Sequence, residues 1–301
     1  MNIPIGAAEA EVLSQVACPV SIRFAEFGVS PDPRWDHGAV SRIPTLTSFS
    51  TYRQVSDAVA ATLGSHPNLT ALRIGSTQSQ AGMVALASSQ KLASLEISYP
   101  ARAALSADFF SALAANKTMT SLPLDFLGLV FIPASLVETL SRNTQLTALH
   151  IMVSGSESLR HLAVMPALKN LLLRVDYTTP IADVDVKALS EKPLDSLAFR
   201  CIGFSPSALA IAASSKASRL VFSFCGLINH EAIQALLENK SVSSLRIEDS
   251  SIVEGGAARL AAHPRIHSFE WIDLLKHEER SKIQEAWVAA GKPLINLTVG
   301  S

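Results

Sequence analysis

The chain has 301 residues, 48% of them apolar, so it can bury a large hydrophobic core. Lys and Arg number 25 against 26 Asp and Glu, and this balance excludes a strong overall field for nucleic acid or an anionic membrane. Three cysteines, Cys18, Cys201 and Cys225, are too few and too irregularly spaced for a disulfide framework or a four-ligand zinc site. We expect all three to be small buried side chains.

The first twenty residues contain neither a basic n-region nor a continuous apolar h-region, so a secretory signal peptide is not expected. No stretch of about 18 uninterrupted apolar residues predicts a transmembrane helix. The sequence therefore predicts a cytoplasmic protein, or one secreted without a classical signal peptide.

A short apolar motif, L-x-x-L-x-I with close variants, recurs along the whole chain. Val20, Ile22 and Phe24 open the series, and Leu46 follows as a weaker unit because Ser48 fills its third apolar slot. The later copies are centred on Leu72, Leu95, Leu122, Leu149, Leu171, Leu197, Leu220, Leu245, Phe269 and Leu297. We call these central residues the anchors. They recur about every 25 residues, a spacing typical of stacked repeats.

Each copy predicts one strand and one helix. The anchor and the apolar residue two places later alternate with polar residues, which predicts a short strand with one buried face. Between the motifs lie Ala- and Leu-rich segments such as DAVAATLG, DFFSALAA and HEAIQALLE, which favour helix. Asn116, Asn143 and Asn239 each come three residues before a motif, where we expect a helix terminator in the left-handed region.

The motif resembles the leucine-rich-repeat superfamily over almost the whole chain. This resemblance implies an α/β solenoid, or horseshoe, with a parallel sheet on the concave face and helices on the convex face. We divide the chain into an N-terminal cap and first repeat (1–42), a repeat array (43–275) and a C-terminal repeat with its cap (276–301). The repeats leave no room for a separate catalytic domain.

Some helical segments are also similar to the GALA-type repeats of effector proteins from plant-pathogenic bacteria, notably GGAARLAAHPRIHSF and SALAANKTMTSL. This resemblance implies a type III secreted virulence protein that acts on a host protein in a host–pathogen interaction. GALA effectors also resemble F-box proteins at the N-terminus, and no F-box is found before Leu46.

In a leucine-rich repeat, the side chains that flank each anchor point into the concavity. Aromatic, Met and Arg side chains are enriched at protein interfaces, so we predict a partner-binding face from the residues of these types near the middle of the array. The predicted face consists of Tyr99, Phe126, His150, Met152, Leu172, Arg174, Arg200, Arg219 and Arg246.

No phosphate-binding loop, zincin, hydrolase-elbow or paired C-x-x-C motif occurs, so we predict no catalytic, metal or cofactor site. The leading hypothesis is a non-enzymatic scaffold that binds a protein partner, as a bacterial effector. The alternative is the substrate-recognition region of an effector ubiquitin ligase whose catalytic part lies outside this chain. A nucleic-acid-binding role is disfavoured by acidic residues in the same columns, such as Glu96, Glu248 and Glu270. The oligomeric state is not predicted.

Overall fold

The computed structural model describes residues 7–23, 37–98, 105–124, 130–176, 181–200, 203–272, 277–294 and 297–300. Within these ranges, short strands alternate with short helices. The strands are β1 (Val20–Arg23), β2 (Leu46–Ser50), β3 (Gln54–Val55), β4 (Ala71–Ile74), β5 (Ser76–Thr77), β6 (Ser94–Ile97), β7 (Ser121–Pro123), β8 (Ile132–Pro133), β9 (Ala148–Ser154), β10 (Asn170–Val175), β11 (Ser196–Arg200), β12 (Arg219–Ile228), β13 (Ser244–Ile252), β14 (Ser268–Ile272) and β15 (Leu297–Gly300). The helices are α1 (Ala7–Ser14), α2 (His37–Val40), α3 (Asp57–Gly64), α4 (Gln80–Ala87), α5 (Ala107–Ala115), α6 (Ala134–Leu140), α7 (Glu157–Ala163), α8 (Asp183–Ser190), α9 (Pro206–Ala213), α10 (His230–Glu238), α11 (Gly256–Ala262) and α12 (His277–Ala289).

Among the described residues, thirteen strands form one parallel sheet. Their order is β1-β2-β4-β6-β7-β9-β10-β11-β12-β13-β14-β15, with β8 beside β9, so neighbours in sequence are neighbours in the sheet. Parallel neighbours need a crossover between them, and the helices supply it. This arrangement confirms the predicted repetition of strand and helix.

The anchors form the core of the sheet. From β10 to β15 the pairing places Leu171, Leu197, Leu220, Leu245, Phe269 and Leu297 opposite one another in register. All of these except Leu297 are buried, as are the apolar residues two places later, such as Leu173 and Phe199. Stacking in this register gives every repeat a shared interior that a single unit could not form.

The prediction that Leu46 is the central residue of its unit is wrong. The sequence pattern predicted Leu46, but the residue paired with Leu72 is Phe49, and Ile22 pairs with Phe49 on the other side. A register shift after Val20, which pairs with Leu46, accounts for the error. Leu46 and Phe49 are both buried, so the apolar pattern by itself could not distinguish them.

The asparagines that end the helices do not adopt the predicted left-handed conformation. Asn116 and Asn239 are extended, with φ of −67° and −66°. Their role belongs to the side chain: the Asn239 amide donates to the carbonyls of Ala213 and Ser215 in the preceding repeat, at 2.9 and 2.7 Å. Its oxygen accepts from the N–H groups of Ser241 and Val242. Asn116 and Asn143 make the same four bonds in their own repeats.

His66 takes this position in an earlier repeat. Its Nδ1 accepts from the N–H groups of Asn68 and Leu69, and its Nε2 lies 2.9 Å from the carbonyl of Ile43. His66 therefore stabilises the helix-end turn of its repeat through both ring nitrogens. At the other end of the helices, Ser56, Ser106, Ser205 and Asn229 act as N-caps, each accepting a backbone N–H.

Contacts divide the chain into two units. Unit 1 comprises residues 1–130, 139–150 and 165–167, and unit 2 comprises residues 131–138, 151–164 and 168–301. Near its end, unit 2 contains α12, in which Ile283 and Trp287 are buried. Trp287 donates from its indole N–H to the carbonyl of Pro293 at 3.1 Å.

Candidate functional site: the arginine face of unit 2

Strands β10, β11 and β12 alternate between buried and outward-facing side chains. In β11, for example, Leu197 and Phe199 are buried, whereas Ala198 is half-buried and Arg200 is exposed. The pairing brings the outward residues of the three strands into rows. We call this surface the arginine face; it consists of Leu172, Arg174, Ala198, Arg200, Arg219 and Val221.

Two arginines of this face are direct cross-strand neighbours. Arg174 pairs with Arg200 in register, which puts their backbones about 5 Å apart. Arg219 lies on the next strand, where it pairs with Ser196. Within the described part of the chain, none of the three guanidinium groups has a hydrogen bond or an ion pair. Like charges placed side by side on a sheet are destabilising, so this arrangement costs folding free energy.

On β13 and β14, next to the arginine face, lies a cluster in which carboxylates outnumber arginines. The Arg246 Nε donates to Glu248 Oε1 at 2.6 Å, and its Nη1 lies 2.9 Å from Glu270 Oε2. The Ser223 hydroxyl donates to the other oxygen of Glu248 at 2.7 Å. Arg246 is thus fully compensated, and the cluster has an excess of negative charge. We call Ser223, Arg246, Glu248 and Glu270 the carboxylate cluster.

The electrostatics of Glu248 link the cluster to the arginine face. Burial raises the pKa of the Glu248 carboxyl, but hydrogen bonds from Ser223 and Arg246, together with the charges of Arg246 and Arg200, outweigh it. The net result is a pKa below the usual 4.5. Glu248 is therefore ionised at neutral pH and lies within electrostatic reach of Arg200.

An exposed apolar pair follows on β12. Phe224 and Leu227 expose 45% and 55% of their surface. Phe224 has a φ of +55°, and Asp249, the equivalent residue of the next repeat, has a φ of +44°. A bulky side chain rarely adopts this region, and holding it there costs about 1 to 3 kcal/mol. The backbone thus presents Phe224 outward, directly after Ser223, the residue that pairs with Arg200.

The outward strand face of unit 1 is organised differently. The Arg73 guanidinium lies 4.3 Å from the ring centre of Tyr52, and its Nε is 2.8 Å from Glu96 Oε1. Arg73 and Glu96 are cross-strand partners in register. His150, one of the predicted binding residues in unit 1, is half-buried and pairs with Pro123 of β7.

The structure places five of the predicted binding residues on the arginine face or beside it. Leu172, Arg174, Arg200 and Arg219 lie together on the arginine face, and Arg246 lies in the adjacent carboxylate cluster. Tyr99 and Phe126 lie outside the described residues.

Met152 was placed wrongly on the outward face, since only 2% of it is exposed. The alternation in β9 ends at Ile151, and Met152 and Val153 are both buried. At the residues directly after Met152, β8 pairs with β9, so an additional segment flanks this end of the strand.

The selection by residue type also missed members of the site. Glu248 was used as evidence against nucleic-acid binding and was not predicted as an ion-pair partner of Arg246. Predicting such partners requires the register between strands, which the sequence alone did not give. Phe224 carried a signal: it comes four residues after its anchor and shortly before Gly226, which itself has a φ of +69°.

The described ranges hold no group of three or more His, Cys, Asp or Glu side chains that could bind a metal. None of their helices is long and apolar enough to cross a membrane. Cys225 is buried as expected, but Cys18 is exposed, which corrects the prediction for that residue; Cys201 lies outside the described residues.

Comparison with known proteins identifies the class of fold. No family model and no curated protein matches the sequence. Among solved structures, the chain is similar to the crystal structure of the yeast Rad7 and Elc1 complex, with a TM-score of 0.62 and 18% identity over 98% of this chain and 78% of that chain. The chain has the leucine-rich-repeat fold, which confirms the predicted α/β class with a parallel sheet. This fold is typically non-catalytic.

Proposed function

We propose that this chain is a non-enzymatic scaffold that binds a partner protein on the arginine face of unit 2. The observation that carries the proposal is a group of three arginines that make no hydrogen bond or ion pair within the described residues. Arg174 and Arg200 lie on one side of the apolar row of Leu172 and Val221, and Arg219 lies on the other side. A sheet that only had to fold would gain stability from an acid or a neutral residue at these positions. Arg and exposed apolar side chains are typical of the energetically important centre of protein interfaces.

The similar solved structure supports a protein partner, since it is a complex of Rad7 with Elc1. The finer hypothesis, that the chain is a bacterial effector acting on a host protein, rests on the likeness of its Ala-rich helices to GALA repeats. The alternative, the recognition region of a ubiquitin ligase, would require a catalytic part beyond this chain. Both hypotheses use the same binding face.

A steric block tests the proposal without assuming any property of the partner. Ala198 lies between Leu172 and Val221 in the central row of the face. Ala198→Trp would fill this space and exclude a partner of any charge. We expect it to lose partners that the unaltered chain captures from a lysate of the cells in which it acts, as measured by quantitative mass spectrometry.

The matched control is Val184→Trp on α8, because Val184 is 61% exposed and the substitution places the same Trp side chain on a helix. This variant should retain the captured proteins. Both variants should keep the melting temperature of the unaltered chain. A correctly folded Ala198→Trp variant that retains every partner would overturn the proposed binding face.

A further inference from the structure

Building on the proposed scaffold role, we infer that the arginine face binds an acidic, extended segment of its partner, with carboxylates against Arg174, Arg200 and Arg219 and an apolar side chain against Phe224. The first argument is charge. The outward positions of β10 to β12 carry these three guanidinium groups and no carboxylate. A guanidinium group offers planar, paired donors that match a carboxylate.

The second argument concerns the limits of the site. The carboxylates of the cluster begin on β13, the strand next to β12, and Asp249 adds another exposed acid there. A long polyanion such as a nucleic acid would extend across these acids and be repelled, whereas a short acidic peptide segment fits within β10 to β12. The cluster also keeps Arg246 occupied, so the anionic partner is directed towards Arg174, Arg200 and Arg219, which make no hydrogen bond or ion pair within the described residues.

The third argument is the apolar neighbour. Phe224 is exposed, held outward by a strained backbone, and adjacent to the residue that pairs with Arg200. Strain of this kind persists where the surrounding structure imposes it and is frequent at binding sites. An acidic segment with one Leu, Ile or Phe side chain would therefore gain both ion pairs and apolar contact.

The inference is tested by selection from a random-peptide phage library, followed by affinity measurements on the enriched sequences as synthetic labelled peptides. Phage-displayed peptides carry carboxylates and no phosphate, so the selection separates these two anionic chemistries. We expect peptides rich in Asp and Glu around an apolar residue. Their binding should weaken steeply between about 0.05 and 0.5 M NaCl because salt screens exposed charges.

Charge reversal gives the decisive variant. Arg174→Glu, Arg200→Glu and Arg219→Glu combined should weaken binding of the enriched peptides at least about 30-fold, which corresponds to about 2 kcal/mol. The matched control is Lys187→Glu, Lys216→Glu and Lys240→Glu, which makes the same change in net charge at exposed positions outside the face. The control should change binding less than about threefold, an effect of about 0.6 kcal/mol.

Phe224→Asn tests the apolar part, because Asn tolerates a positive φ and removes the ring. Folding stability should be kept or increased, while affinity for the apolar-containing peptides should fall at least about fivefold, which corresponds to about 1 kcal/mol.

The outcomes separate this inference from the proposed function. Enrichment of neutral or basic peptides that Ala198→Trp excludes would overturn the acidic-segment inference and leave the binding face standing. Acidic peptides unaffected by Ala198→Trp and by the arginine reversal would overturn both. Failure to enrich acidic peptides, or arginine-dependent binding of a labelled oligothymidine, would also overturn the inference.

Discussion

In unit 1, the Arg73 guanidinium lies over the Tyr52 ring and beside Glu96, whereas in unit 2 Arg174 and Arg200 lie side by side with no carboxylate on their own strands' outward positions. Both pairs occupy cross-strand positions on the same kind of parallel sheet. The difference is therefore in the residues and not in the backbone. An arginine paired with a carboxylate contributes to folding, and two adjacent arginines that make no ion pair are available to a partner.

If the two faces differ only in their outward side chains, the buried anchors beneath them should contribute similarly to stability. Leu149 in unit 1 and Leu171 in unit 2 are anchors with 3% and 2% of their surface exposed. Replacing either with Ala should cost about 2 to 5 kcal/mol, through lost burial and the cavity left behind. Chemical denaturation measures this cost. A loss below about 0.5 kcal/mol, as expected for a surface site, would contradict the assigned register.

The helix-end asparagines test the same equivalence with polar groups. Asn143 in unit 1 and Asn239 in unit 2 are buried and each makes four hydrogen bonds to backbone groups. Their replacement with Ala should cost about 1 to 3 kcal/mol each, because backbone groups would be left unpaired. Asn68→Ala is the control, since Asn68 is exposed and should cost less. Unequal losses for Asn143 and Asn239 would show that this hydrogen-bonding position contributes differently to stability within each unit.

The carboxylate cluster predicts a pH dependence for unit 2. The Glu248 carboxyl has a pKa below its usual 4.5, so it stabilises the folded state fully above that pH. This contribution is lost as the pH falls from the usual pKa through the lowered one. Glu248→Gln should therefore flatten the fall in stability below pH 4.5 and cost less than about 1 kcal/mol at neutral pH.

Denaturation curves across this acidic range measure the slope. Ser223→Ala removes one of the donors to Glu248 and should give an intermediate slope. If the Gln variant and the unaltered chain showed parallel curves, Glu248 would not be a source of acid sensitivity.

The smallest effect compares the arginines directly. Arg73→Ala removes an ion pair and a cation–π contact and should destabilise the chain by about 0.5 to 1 kcal/mol. Arg200→Ala should change stability by less than about 0.5 kcal/mol, because it relieves repulsion with Arg174 and also removes a favourable charge interaction with Glu248. Thermal melts of the two single variants distinguish the cases, and an equal loss for both would remove the basis for treating the two faces differently.

Much of the fold and part of the site could be predicted from the sequence. The recurrence of anchors predicted the parallel repeats, and the choice of Arg residues in the outward columns found Arg174, Arg200 and Arg219. The prediction that Met152 faces outward was wrong because the alternation of β9 stops at Ile151. Beyond that point, burial depends on segments that are distant in the chain. The left-handed helix ends were wrong because the asparagine amides reach carbonyls of the preceding repeat, about 25 residues away.

The sequence by itself determined the periodic elements, since apolar spacing and helix propensity act over a few residues and repeat with every unit. Only the tertiary structure decided which charges are compensated. Ion pairing depends on the register between strands: a carboxylate two residues or one strand away decides whether an arginine stabilises the sheet or remains open to a partner. Arg73 and Arg200 both occupy outward positions of their strands, one and three residues after the anchor, and their neighbours across the sheet set them apart.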